Sequence, residues 1–187
     1  MRIIGGNSKG KKISIPYDNK TRPLKDLVKE AIFNLLEHSN KFDTSLLNSN
    51  ILDLFSGTGS FGLECYSRGA KFITFVENYS EALKVLKKNI ISLNATESSQ
   101  IIQKNCFEYS ELNKNLVEKF DIIFLDPPFA ENKFIEELKL IKKNKIYQKN
   151  HVIIIHRESK TIDNLDGIFK PLITKQYSRS KIIFGKY

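Results

Sequence analysis

Ile51-Leu52-Asp53-Leu54-Phe55-Ser56-Gly57-Thr58-Gly59-Ser60-Phe61-Gly62 is an apolar run that breaks into a glycine-rich turn and resumes at helical spacing. Closely spaced glycines weaken a strand interior, so the spacing predicts a buried strand over Ile51–Phe55 that ends where the turn begins. Phe61 to Arg68, closed by Gly69, then reads as a short helix. Strand, glycine turn and helix form the opening unit of a parallel sheet covered by helices.

The alternation continues on both sides of that unit. Downstream, strands are predicted at Phe72–Val76, Gln100–Gln103, Asp121–Leu125 and His151–Ile155. Helices are predicted from Ser80 to Leu93, more weakly from Leu112 to Glu118, and from Phe134 to Lys142. The tail, Phe169–Tyr177 and Lys181–Gly185 around Ser178-Arg179-Ser180, reads as a closing hairpin whose final strand runs antiparallel. Upstream, Arg2-Ile3-Ile4 and Lys11 to Ile15 flank Gly5 to Gly10 as a basic β-hairpin. A helix follows from Pro23 to about His38, then a polar linker from Ser39 to Asn50. The whole is a Rossmann-like α/β fold with a mostly parallel sheet.

The chain has 187 residues, enough for one substantial domain and few for two. The longest purely aliphatic run, Val152 to Ile155, is too short to span a bilayer. Cys65 and Cys106 are isolated thiols, not a disulfide framework, which points to a reducing, cytoplasmic setting. His38, His151 and His156 share no metal-ligand spacing with either cysteine, so no metal is expected. The net charge of +9 is unevenly placed: residues 1–30 carry eight Lys/Arg against three Asp/Glu, and residues 170–187 carry five Lys/Arg and no acid. A near-neutral body with two basic ends points to a polyanionic partner, nucleic acid ahead of a membrane surface.

Gly57-Thr58-Gly59-Ser60-Phe61-Gly62 satisfies G-x-G-x-x-G in the right context, which first suggests a dinucleotide. Asp53, four residues before Gly57, argues otherwise. Its carboxylate would repel a diphosphate but would accept the ammonium of S-adenosylmethionine. Glu77, at the end of the second strand, is placed to accept both ribose hydroxyls. Asn105 could bond the adenine amino group, with the Cys106 amide reaching a ring nitrogen. Phe55, Gly57, Gly59 and Asn78 complete the candidate cofactor set.

Asp126-Pro127-Pro128-Phe129 follows the fourth strand. Adjacent prolines stop the ladder and stiffen the chain, which fixes the direction of the Asp126 side chain and of a carbonyl such as that of Pro127. An exocyclic base amine is a poor nucleophile because its lone pair is delocalised into the ring. Two acceptors holding its N–H bonds favour a pyramidal nitrogen, and Phe129 would stack on the base. The candidate chemistry is methyl transfer to a base amine, with Asp126, Pro127 and Phe129 at its centre.

These motifs resemble the class I methyltransferases that modify exocyclic amines. The N-terminal residues Arg2-Ile3-Ile4-Gly5-Gly6, Lys9-Gly10-Lys11-Lys12 and Thr21-Arg22-Pro23, with Asp26, Val28, Glu30, Ala31, Phe33 and Asn34, resemble the RsmD family. That family consists of bacterial guanine-N2 methyltransferases of 16S ribosomal RNA, and Asp53 to Gly59 with Gly62-Leu63-Glu64 fits it as well. The resemblance implies a seven-stranded sheet and guanine-N2 transfer in the small ribosomal subunit by a monomer. It divides the chain into an RNA-binding extension, residues 1–40, and a cofactor-binding domain, residues 41–187. Arg2, Lys9, Lys11, Lys12, Arg22, Arg179 and Lys181 are the expected RNA contacts. Leu24 and Leu27 stand where the family has a small polar residue and an arginine. The same residues leave other readings open: an adenine-N6 or cytosine-N4 methyltransferase, a glutamine methyltransferase, a non-catalytic assembly factor and an NAD-dependent oxidoreductase.

Overall fold

A computed structural model describes residues 1–18, 24–106, 119–128 and 133–187 of the chain. Its strands are β1 (Asn50–Leu54), β2 (Phe72–Val76), β3 (Ser99–Ile102), β4 (Phe120–Leu125), β5 (Tyr147–Glu158), β6 (Lys170–Tyr177) and β7 (Ser180–Lys186). Its helices are α1 (Asp26–His38), α2 (Ser60–Ser67), α3 (Ser80–Ser92) and α4 (Phe134–Asn144). The strands form one sheet in the order β3-β2-β1-β4-β5-β7-β6. The first five run parallel, and β7 lies antiparallel between β5 and β6. The Rossmann-like fold predicted from the alternation is the fold observed.

Alternate residues of each central strand enter opposite layers, as the pleat demands. Ile51, Ile73, Phe75, Ile122, Phe124 and Ile154 face the layer of α1, α2 and α3. Leu52, Leu54, Val76, Ile123, Leu125 and Ile155 face the layer that contains α4. Phe61 of α2 joins the first layer together, stacking on Phe33 of α1 at 5.4 Å and on Phe124 of β4 at 4.1 Å between centroids.

Three differences from the expected elements have physical causes. The N-terminal hairpin forms, with Ile3 N–H donating to the Lys11 carbonyl at 2.9 Å and Ile13 N–H to the Met1 carbonyl at 3.0 Å, but its ladder is short, bridging Arg2 with Lys12 around a 3-10 turn at Gly6–Ser8. Other amides of the segment bind α2: Ile4 and Gly5 donate to the Glu64 carboxylate at 2.8 and 2.7 Å, and Ser8 donates to Ser67 Oγ at 2.9 Å. Second, β5 is 12 residues long, because pairing extends it at both ends beyond its hydrophobic run. Tyr147 pairs with Phe120 of β4, while Arg157 and Glu158 pair with Lys181 and Ser180 of β7. Third, β1 stops at Leu54, since Phe55 already has a left-handed φ of 61°. The expected helix over Leu112–Glu118 and the expected helix start at Pro23 lie outside the described residues.

The N-terminal segment shares the main core instead of standing apart. Ile3 and Ile13 lie in the same buried cluster as α1 and β1. Beneath them, Glu64 also receives Lys29 Nζ at 3.6 Å and Arg68 Nε at 2.9 Å. Burial lowers the Lys29 pKa, against the opposing pull of Glu64 and Asp26.

Candidate active site

The candidate residues meet beyond the carboxyl ends of the parallel strands, where the sheet order reverses between β1 and β4 and where open α/β sheets bind ligands. The loop after β1 is built tightly. Phe55, Gly57 and Gly59 all take positive φ, at 61°, 54° and 80°. A β-carbon at Gly59 would come within 2.5 Å of Leu86 Cδ1, so this position needs both the conformation and the missing side chain. Gly62 has a different task. A β-carbon there would lie 2.4 Å from the Phe75 ring, so its absence lets α2 sit close on β2.

Side chains from neighbouring strands lock this loop. Phe55 N–H donates to Cys106 Sγ at 3.3 Å, and burial raises the pKa of that thiol. Asn89 of α3 donates to the Thr58 carbonyl at 3.0 Å while exchanging hydrogen bonds with the Ser14 backbone at 2.9 and 3.1 Å. Glu77 Oε2 accepts Gly57 N–H at 2.7 Å, and Oε1 accepts the amides of Asn78 and Tyr79 at 2.8 Å each.

These three amides orient the Glu77 carboxylate and leave part of its acceptor capacity to a ligand. Asn78 itself is exposed, and Asn105 lies half-buried after β3, beside the buried Cys106.

Asp53 is 1% exposed, and its Oδ2 accepts Gly62 N–H at 3.0 Å, tying the end of β1 to the first turn of α2. Its carboxyl is raised to about 8, chiefly by burial, with the charges of Asp126 and Glu77 adding to the rise and that hydrogen bond opposing it. The carboxyl groups that follow β2 and β4 thus both act on the one at the end of β1. Such a crevice is suited to a cation and hostile to a diphosphate. No group of side chains among the described residues is arranged to hold a metal ion.

Asp126 follows β4, with its amide 3.4 Å from the Leu54 carbonyl. Its Oδ1 lies 2.8 Å from His156 Nδ1, a partner absent from the expected site. The Pro128 carbonyl accepts Arg157 Nη1 at 3.2 Å, and Pro127 is buried. Phe129 lies outside the described residues. His156 and Arg157 escaped notice because they directly follow an aliphatic run that reads only as core. Their place at the carboxyl end of a parallel strand was the available signal.

The basic residues divide. Arg2, Lys9, Lys11 and Lys12 are exposed on the N-terminal segment, and the Arg179 side chain is 82% exposed at the β6–β7 turn. Arg22 lies outside the described residues. Lys181, expected at the surface, is buried, with its ammonium 3.0 Å from Asp163 Oδ2 and 2.6 Å from the Thr161 carbonyl. Its place in β7 turns it inward, where it neutralises the carboxylate that also pairs with Arg157. Leu24 is buried in the core, whereas Leu27 is 64% exposed on α1. No helix among the described residues is long and apolar enough to cross a membrane.

The model of the family described as conserved hypothetical protein 95 matches residues 1–186. Ribosomal RNA small subunit methyltransferase D of Buchnera aphidicola (subspecies Acyrthosiphon pisum) is 35% identical over 158 residues, covering 84% of this chain and 78% of that one. The protein of the same name from Haemophilus influenzae is 33% identical over 177 residues, covering 94% and 83%. A solved structure described as methyltransferase yhhF of Escherichia coli superposes with a TM-score of 0.82 at 25% identity, covering 100% and 97%.

Proposed function

The chain belongs to the family described as conserved hypothetical protein 95, the RsmD family, and from that premise we propose that it methylates the exocyclic N2 of a guanine in small-subunit ribosomal RNA. S-adenosylmethionine is the proposed donor and supplies an already activated methyl group. The observation that carries this reading is the placement of Asp53, Glu77 and Asp126 at the carboxyl ends of the adjacent strands β1, β2 and β4. A ligand bearing an ammonium and a sulfonium relieves their repulsion, whereas NAD would aggravate it. The names of the relatives support ribosomal RNA as the substrate.

Within this reading the chain's own residues bind, orient and accept a proton. Asp53 faces the ammonium, Glu77 takes a ribose hydroxyl, and the Asn105–Cys106 segment borders the adenine. Asp126 and a carbonyl of the proline pair hold the guanine amine, while Asp126 receives the proton that the nitrogen gives up as it gains a methyl group. Contacts that strengthen as nitrogen pyramidalises lower the barrier more than they help ground-state binding. Arg2, Lys9, Lys11, Lys12, Arg22 and Arg179 grip phosphates around the target.

The test is single-turnover methylation of undermethylated small ribosomal subunits with labelled cofactor, followed by identification of the modified nucleoside. N2-methylguanosine is expected, and N6-methyladenosine or N4-methylcytidine overturns the assignment. Asp126→Ala is expected to slow transfer about a hundredfold, or ~3 kcal/mol of transition-state stabilisation, without weakening cofactor binding.

A further inference from the structure

The carboxyl end of β5 presents two buried side chains to the segment that carries Asp126. His156 is 3% exposed, with Nδ1 2.8 Å from Asp126 Oδ1 and Nε2 2.9 Å from Ser180 Oγ. Next to it, Arg157 donates to the Pro128 carbonyl at 3.2 Å and to Asp163 Oδ1 at 2.9 Å. Its guanidinium also lies over the Phe134 ring at 4.5 Å. Consecutive residues of one strand therefore hold the Asp126–Pro128 segment at both ends.

Burying an imidazole is costly unless both nitrogens find partners, and an aliphatic residue would fill a strand end more cheaply. Here the partners come from two further elements, the segment after β4 and the first residue of β7. Their chemistry fixes one end of the ring. A carboxylate oxygen only accepts, so Nδ1 carries a proton, whereas the Ser180 hydroxyl can donate to Nε2 or accept from it. Prolines restrain the main chain, and the Nδ1–H contact restrains rotation of the carboxylate about the side-chain bonds of Asp126.

We propose that His156, oriented by Ser180, is a positioning residue that fixes the direction in which Asp126 presents its carboxylate to the substrate amine. The proposal rests on the reading of Asp126 as the amine acceptor. His156 itself touches neither substrate nor cofactor, and its effect falls on the rate of transfer and not on binding.

Nitrogen-15 spectra of the full chain without substrate test the tautomer, and kinetics test the role. The expected spectrum shows His156 protonated at Nδ1. His156→Leu should lower the single-turnover rate on undermethylated subunits by about ten- to a hundredfold, the scale of a small misplacement of a reacting group. KM for the subunit and affinity for S-adenosylhomocysteine should stay as in the wild type. His156→Asn, whose amide can replace the Nδ1–H donor, should restore most of the rate, and His156→Leu should cost nothing further in an Asp126→Ala background. A wild type unprotonated at Nδ1 overturns the proposal, as does a wild-type rate in His156→Leu when Asp126→Ala is slow. A wild-type rate in Asp126→Ala instead removes the reading on which the proposal rests. Should His156→Leu fail to fold, Ser180→Ala decides: a mixed tautomer and a slowed rate support the proposal, and no change in either overturns it.

Discussion

Gly57 donates its amide to Glu77 Oε2 at 2.7 Å, joining the loop after β1 to the end of β2. The same carboxylate caps the amides of Asn78 and Tyr79 just before α3. A single side chain thus shapes two walls of the crevice before any ligand arrives.

Glu77→Ala should therefore disturb more than one ligand contact. Cofactor affinity is expected to fall about ten- to a hundredfold, matching ~1.5–3 kcal/mol for a hydrogen bond to a charged group. Hydrogen exchange should speed up at Gly57, Asn78 and Tyr79 even without ligand. Unchanged exchange at Gly57 would show that the loop holds its shape without Glu77.

The buried carboxyl groups predict a specific pH dependence. The pKa of Asp53 is raised from 3.8 to about 8, and burial raises Glu137 of α4 from 4.5 to about 8. The folded chain thus keeps protons that the unfolded chain gives up near pH 4. Their contribution to stability is full below the unfolded values and is lost as pH rises through the folded ones, about 1.4 kcal/mol per group and pH unit at most. The melting temperature of the ligand-free protein should fall between about pH 4 and 8, and Asp53→Asn should flatten that fall. If Asp53 meets an ammonium, ligand binding at neutral pH should release protons, seen as a buffer-dependent heat in calorimetry. A heat independent of buffer speaks against that contact.

Helix α2 sits as close to β2 as Gly62 permits. In Gly62→Ala, the added methyl meets Phe75 and Ile73 at 2.4 and 2.7 Å. Overpacking of this kind costs about 1–3 kcal/mol, more than the roughly 1 kcal/mol gained from better helix propensity. Urea denaturation should show a lower midpoint with an unchanged slope, whereas a stabilised variant would refute the close packing.

Lys9, Lys11 and Lys12 are all exposed on the N-terminal segment. Their replacement by Ala should weaken RNA binding and reduce its salt dependence by roughly one unit of slope per lost phosphate contact. Affinity for S-adenosylhomocysteine should not change. If titrations at several salt concentrations give the wild-type slope, the RNA grip lies elsewhere.

Much of the fold was legible in the chain because apolar periodicity is a local signal. Residues 72–76 read as a strand and form β2 from end to end, and Ser80 opens α3 as its spacing predicts. Gly57, Gly59 and Gly62 likewise announced a close-packed turn, since no residue with a β-carbon fits those positions without strain. Only the tertiary structure decided who meets whom. Nothing local told Glu64 to take the amides of Ile4 and Gly5, which ties the N-terminal hairpin to α2. Lys181 and Arg179 are alike in sequence, but strand register turns the first inward to Asp163 and leaves the second in solvent. His156 meets Asp126 across a separation of 30 residues. The strand pairing that brings them together comes from the whole sheet, where hydrogen-bonded register and the burial of both faces outweigh the preference of any single residue.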